Sequence, residues 1–585
     1  MSTFLIPDSL ELRPVVLRHL PLLREAIDRL GIRDVIDDLL PPDRRSEVSD
    51  GDCVTLMIAN ILHGRVALYN MGDWLSTTDA GVLLWEGCPA GAFGDDRLGK
   101  CLDRLWNLGT DNVVTAVASR YLQSDDAPGE YIVLNDTTTL ALEGAYVLEN
   151  YDKEGAPVPK HGHSKDLRPD LKQLVYGLSL HGAAGLPLVG TMLDGNTSDH
   201  SANRLHIEKL AALLPPEDEV TLVADCKFVD AETLGKAWRT GFHYVSLLPR
   251  TFSLREELVE KVRAGGLELV EVDRSPGRTQ SDPERVYRAG SVTQPFPVRD
   301  PVDGALEFVQ HRFLVVESSQ LALAHEAGVP GDLARDEKAV RDAFRVAGKT
   351  AFECADDARK VMEKAAAKAT LHTVEARVVQ VEETLKRARR GRPRAGEEAP
   401  THTVWRVELV ALTVAEAAVE RARFHARHFV LLTDHVDGEK WADARIFETY
   451  RAQHAIEGHT GFRWLKGPAA VAPVFLKLPH RVAALGVVFL LALMVRNWIQ
   501  ARIRAGLAAT ATKLPNMNDQ ATSKPTTECA FRLFQHVAGV LICTEDAVLE
   551  RRVHGFTEVT DRVLHLLGFE PEIFWTPRRK SWSSA

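Results

Sequence analysis

The sequence predicts an α/β protein whose central sheet starts as an antiparallel meander and continues as parallel strand–helix units. Three observations carry that expectation. From about residue 130 the chain changes to short β-branched runs, Tyr131 to Asp136, Gln173 to His181 and Leu186 to Leu193. Gly182-Ala-Ala-Gly185-Leu-Pro187 joins the last two as a hairpin signal. Two further runs, Val220 to Asp225 and His243 to Leu248, alternate with helical patterns from Asp199 to about Leu214 and from Asp230 to Thr240. Asp199 reads as the N-cap of the first of these helices.

Three strands followed by alternating helix and strand is the order of a ribonuclease-H-like core, in which acids at the ends of neighbouring strands converge at one edge. Residues 1–125 read as a helical N-terminal domain punctuated by Gly31, Pro41-Pro42 and Gly51, with DNA-end binding and dimerisation equally open as its role. Residues 126–250 are the first part of the core. Residues 251–428 are a mixed β/helical insertion: β-rich to about 330, helical from 335 to 390 around Lys360 to Lys368, and β again from Thr403 to Thr413. Phe429 to Thr433 is the last core strand, within a second core part spanning 429–506. Residues 507–527 read as a flexible linker, Cys529 to Leu567 as a closing helical segment, and Thr576 to Lys580 as a basic tail.

A chain of 585 residues exceeds one compact core, so several units are expected. The formal net charge of −10 excludes wholesale electrostatic wrapping of nucleic acid, so any DNA contact has to come from local basic patches. Seven scattered cysteines without a C-x-x-C pair give no zinc frame or disulfide framework and fit a reducing cytoplasm. The start carries no signal-peptide pattern. The most apolar run, Val482 to Val495, is 14 residues between Arg481 and Arg496, short for a bilayer span and expected to be a buried helix. A cytoplasmic protein with no membrane partner is the expectation.

The stretch Tyr450 to Lys466 carries the functional reading. As a helix it aligns Ile446, Tyr450, Gln453 and Glu457 on one face, so Glu457 continues a core-facing stripe. Gly458 and Gly461 are where that helix would break. A carboxylate facing a core needs a cation. Asp136 and Asp225 stand at the ends of two expected strands, and two strand-borne aspartates with a helix-borne glutamate point to a divalent-metal site for phosphodiester chemistry.

Four stretches together resemble the DDE-type insertion-sequence transposases, over a span from the N-terminal helices to about residue 565. They are Leu134-Asn-Asp-Thr-Thr-Thr139, His161-Gly-His-Ser-Lys-Asp-Leu-Arg-Pro-Asp-Leu-Lys-Gln173, Gly195-Asn-Thr-Ser-Asp199 with Val223-Ala-Asp225, and the tyrosine-to-glutamate segment, similar to a Y-x-x-R-x-x-x-E-x-x-x-x-x-x-K signature. Gln453 stands at the signature's arginine and Trp464 at its lysine, with Arg463 and Lys466 close by. The resemblance implies Asp136, Asp225 and Glu457 as catalytic metal ligands for two Mg²⁺ ions, with Mn²⁺ as substitute. It implies double-stranded DNA as partner, both transposon terminal inverted repeats and target, and a homodimer in the synaptic complex. The implied reaction is metal-dependent cleavage at the transposon ends followed by strand transfer. The other readings are a catalytically silent DNA-binding relative and a ribonuclease-H-like nuclease.

The expected DNA contacts are Lys165, Arg168, Lys172, Tyr450, Gln453, Arg463 and Lys466, with Arg390 and Arg392 in the basic stretch Arg387 to Arg394. Arg390-Gly-Arg-Pro393 has the form of a minor-groove-inserting core, and equally of a basic hairpin tip. Asp194 and Asp199 read as turn and cap residues outside the metal set. His161 and His163 read as loop-positioning residues.

Overall fold

In the computed structural model the described residues run from 10 to 580, apart from 44, 125, 126, 128, 143–154, 183, 216–218, 278–281, 385–400, 459, 468–475, 477 and 546. The chain opens with β1 (Glu11–Val16), which pairs antiparallel with a strand from the far end of the sequence. Helices Leu20–Arg29, Ile32–Leu39, Asp50–Ala59, Asp95–Leu108 and Thr110–Leu122 follow. The acidic residues of this region are largely spent internally: Arg33 meets buried Asp52 at 2.8 Å, and Arg97 and Arg104 each reach buried Asp50 at 2.8 Å.

The central sheet is built from β2 (Tyr131–Leu142), β3 (Lys172–His181), β4 (Leu186–Leu193), β5 (Val220–Ala224) and β6 (His243–Leu247). β2, β3 and β4 pair antiparallel, whereas β2, β5 and β6 run parallel. Both faces are covered, as parallel strands require. Alternation splits the sheet between two cores. Leu134 and Val223 belong to the core shared with the N-terminal helices, while Val133 and Leu222 face the helices Asp199–Leu213 and Ala231–Arg239.

The expected insertion is not separate from this sheet. β7 (Val270–Ser275), β8 (Arg285–Arg299) and β9 (Leu306–Ser318) extend it. After helices Ser319–Ala347 and Ala355–Ala366, β10 (His372–Thr384) and β11 (Thr401–Val414) form their own two-stranded ribbon. Residues 372–384, expected to be helical, are therefore a strand, because Val374, Ala376 and Val378 recur every second position against a small separate core. Arg390 and Arg392 lie outside the described residues. β12 (His428–Thr433) then returns between β6 and β9, antiparallel to both, giving the nine-stranded order β4-β3-β2-β5-β6-β12-β9-β8-β7.

Helix Pro479–Thr510 contains the apolar run as a buried element, packed against Asp95–Leu108 and β4. By length and composition it could cross a membrane, but 94% of its most apolar window is buried inside the protein. The expected linker is partly structured: this helix runs to Thr510, and β13 (Leu514–Pro515) and β14 (Ala521–Thr522) pair with Leu514 buried. The closing segment is not wholly helical either. β15 (Ala538–Cys543) and β16 (Val548–His554) form a hairpin, and β15 is the partner of β1. Alternate burial along Ala538–Cys543 is the signal that separates it from a helix.

Candidate metal centre

The site begins with strand register. Asn135 of β2 lies opposite Ala224 of β5 in a parallel pair, so the next residues, Asp136 and Asp225, are level on neighbouring strands. Adjacent strands are about 4.8 Å apart, and residues level across a parallel pair point to the same face. Asp136 follows Leu134, and Asp225 follows Val223, by two residues, so both acids face the side of the sheet those leucine and valine side chains occupy.

β5 ends at Ala224, and beyond it β2 has no β5 neighbour. Lys165 takes up that open edge. Its backbone N–H donates to Thr139 Oγ1 at 3.0 Å, and its Nζ donates to the Thr137 carbonyl at 2.8 Å and to Thr137 Oγ1 at 2.7 Å. From there the ammonium lies 3.7 Å from Asp136 Oδ1 and 3.5 Å from Asp199 Oδ1. Thr137 Oγ1 also donates to Asp199 Oδ1 at 2.5 Å. Asp199 thus shares the Lys165 ammonium with Asp136 and is not the helix cap. Ser198 is the cap, accepting from the Ser201 N–H at 3.2 Å, which frees the Asp199 carboxylate for the site. The signal was present in Gly195-Asn-Thr-Ser-Asp199, where two adjacent residues can each cap a helix.

Gly195 is required in this loop: a Cβ there would stand 2.0 Å from the Gln173 carbonyl oxygen. Asp194 behaves as the expected turn residue, accepting from the Val158 N–H and Lys160 Nζ, both at 2.8 Å. The resulting cleft, about 580 Å³, is lined by Thr137, Lys165, Asp199, Asp225 and Lys227 among others.

The third expected acid arrives differently. The helix Asp443–Arg451 stops before Glu457, and Ala452 and Gln453 form a turn with tight i→i+3 hydrogen bonds. Glu457 ends the single turn His454–Glu457, anchored by fully buried Ile456. The change of pitch takes Glu457 off the core-facing stripe, and its side chain is 63% exposed. Gly461 closes the segment, since a Cβ there would meet the Ile456 carbonyl oxygen at 2.0 Å.

Electrostatics tie the acids together. Burial raises the Asp136 carboxyl to about 7; Lys165 opposes the shift, and the charges of Asp225 and Glu457 add to it. Burial also raises Asp225, against the Lys227 N–H bond and Lys165. Glu457 is lowered, first through its interaction with His454 at 3.9 Å and also by Lys165. Tyr450 is pushed up by burial, with Asp225 and Glu457 contributing, which places its hydroxyl in the same field.

The expected DNA contacts divide. Lys165 sits inside the acid set, Arg463 is exposed, and Lys466 pairs with Asp166 at 2.6 Å. Arg168 pairs with Asp170 at 2.8 Å, and Lys172 opens β3 half-buried. Gln453 is buried, so in this conformation a DNA contact is closed to it, contrary to the sequence expectation.

Residues 14–119 match the model of a domain of unknown function, DUF4277. No curated protein matches the chain. Among solved structures the chain is similar to the piggyBac transposase synaptic complex with hairpin DNA, at 11% identity and a TM-score of 0.25. That match covers 52% of this chain and 60% of the other, so the chain spans less than two thirds of it. At that score the likeness establishes no shared fold.

Proposed function

We propose that the cleft is the active site of a metal-dependent polynucleotidyl transferase, a DDE-type DNA transposase with a ribonuclease-H-like core. One observation carries the reading. Asp136 and Asp225 are level on adjacent parallel strands, the Glu457 charge reaches Asp136, and the cation among these acids is an ammonium. The strand order β4-β3-β2-β5-β6, antiparallel then parallel, supports the core assignment.

The donor set fits hard divalent ions, because it is all carboxylate and hydroxyl oxygen. The presence of Lys165 Nζ 3.7 Å from Asp136 and 3.5 Å from Asp199 marks where positive charge is stabilised. Asp136, Asp225 and Glu457 would hold the ions, with Asp199 beside them. Two Mg²⁺, or Mn²⁺ in their place, would supply Lewis acidity at the scissile phosphate and lower the pKa of the attacking hydroxyl. The protein's own part is positioning. β2 and β5 fix two carboxylates through sheet register, and the buried Ile456 anchors the turn that carries the third. With ions bound, Lys165 would be free to contact phosphate, with Lys227 exposed on the same cleft.

The test is cleavage of double-stranded DNA carrying the sequences that flank the coding region. With Mg²⁺ the parent chain cuts one strand at each end. Asp225→Asn reduces cutting by about a thousand-fold or more, several kcal/mol of lost charge stabilisation, while DNA binding is kept. Unchanged cleavage by Asp225→Asn would overturn the assignment.

A further inference from the structure

The opposite edge of the same sheet gathers a second set of ligating side chains. Glu219 precedes β5, His243 begins β6, and His435 follows β12 by two residues. Each offers one ligand atom, and these atoms lie within 4.8 Å of one another. They border a cavity of about 330 Å³ that Asp434, Lys440 and Trp441 also line.

The imidazoles are held from behind. His243 Nδ1 bonds Asp434 Oδ2 at 2.9 Å, and Asp434 Oδ1 is fixed by the Tyr244 N–H at 2.9 Å. His435 Nε2 bonds Thr221 Oγ1 at 2.9 Å, and its ring stacks on Trp441 with centroids 3.7 Å apart. With one nitrogen of each ring engaged, His243 Nε2 and His435 Nδ1 are the nitrogens left for a ligand. A histidine held by a carboxylate through its second nitrogen is the arrangement that fixes tautomer and raises basicity at metal sites. Glu219 forms an ion pair with Lys440 and accepts from Trp441 Nε1 at 3.4 Å. As in the acidic cleft, a lysine ammonium meets the carboxylate.

We propose that Glu219, His243 and His435 bind a borderline divalent transition ion such as Zn²⁺, with a water completing the coordination. Two imidazoles and one carboxylate suit Zn²⁺ or Co²⁺, whereas Mg²⁺ favours all-oxygen sites. The ion joins three segments that are distant in sequence: the starts of β5 and β6, and the residue pair after β12, where the chain re-enters the sheet from the long insertion. It is a structural staple on the edge away from Asp225, and it does not depend on what the acidic cleft does.

The experiment uses the full chain carrying Asp136→Asn and Asp225→Asn, stripped with chelator and titrated with Co²⁺ alone, followed by visible absorption and then Zn²⁺ displacement. One equivalent binds with the intense bands of a low-coordinate, imidazole-ligated ion, and Zn²⁺ abolishes them. Glu219→Gln, at an exposed position, weakens binding at least about 10-fold, and Asp434→Asn weakens it about 10- to 100-fold. Lys440→Met strengthens it, because the competing ammonium is gone. Saturable binding that Glu219→Gln and His243→Gln leave unchanged would overturn the proposal, as would a failure of Co²⁺ to bind both the parent and Lys440→Met.

Discussion

β5 is only five residues long, yet it connects two chemically opposite edges: Glu219 at its start with His243 and His435, and Asp225 at its end with Asp136, Asp199 and Glu457. The imidazole edge draws together without an ion: the rings stack, 4.3 Å apart, and bond to Asp434 and Thr221, with His243 raised by its Asp434 hydrogen bond and His435 lowered by burial. The acidic edge is held differently. Burial raises the Asp136 carboxyl to about 7, Lys165 supplies the counter-charge, and the like charges of Asp225 and Glu457 add to the rise. Preorganisation by hydrogen bonding is available to imidazole ligands, whereas a set of carboxylates depends on a cation to close it.

The largest effect expected on stability tests how the acidic edge is supported. His206 bonds Ser179 Oγ at 2.8 Å; Ser179 bonds Asn135, the residue before Asp136, at 2.8 Å, and Asn135 bonds Asn203 at 2.7 Å. Burial lowers His206 to about 3, so its neutral form is native. The unfolded imidazole titrates near 6.5, so stability from this group is complete above that pH and is lost as pH falls toward 3. At one pKa unit per about 1.4 kcal/mol the loss reaches a few kcal/mol. Urea midpoints measured between pH 7 and 4 should fall steeply, and His206→Gln should flatten the slope. An equal slope in the variant would remove His206 from the account.

Lys165→Met is next. In chelator it leaves Asp136 and Asp199 without their shared cation and costs about 1–2 kcal/mol, less than a fully buried pair because Lys165 is 31% exposed. Added Mg²⁺ restores more stability in the variant than in the parent. A deficit that Mg²⁺ leaves untouched would make Lys165 a packing residue only. The smallest effect is at the cleft rim. Arg463→Gln with Lys466→Gln should lower the salt dependence of DNA binding by about one unit of slope for each phosphate no longer neutralised, with Mg²⁺ affinity unchanged. An unchanged slope would place DNA elsewhere.

Much of the acidic edge was legible in the sequence. β5 is a β-branched run followed at once by Asp225, whereas Asp136, expected at a strand end, lies inside β2, which β3 pairing carries on to Leu142; an apolar run bounded by arginines reads as buried or as a membrane span. What stayed hidden depends on distant partners. β9 joins the sheet by pairing with β12, more than a hundred residues on, and β1 finds β15 across nearly the whole chain, which no local pattern encodes. Ser198 and Asp199 are both capable caps, so only the fold decides that the Asp199 carboxylate is released to the site. The turn at Ala452 and Gln453 contains neither glycine nor proline, so helical periodicity carried through it puts Glu457 on the wrong face. The imidazole edge was invisible for the same reason as β9: His243 and His435 are separated by the insertion and meet only through β6 and β12 pairing.

The most direct test of the acidic edge is a crystal structure of the chain soaked with Mn²⁺, read by anomalous scattering. Two peaks about 3.5–4 Å apart are expected among Asp136, Asp225 and Glu457, with the Lys165 ammonium displaced from between Asp136 and Asp199. Saturating Mn²⁺ that leaves no peak there, with Lys165 still bridging the two aspartates, would contradict the metal assignment.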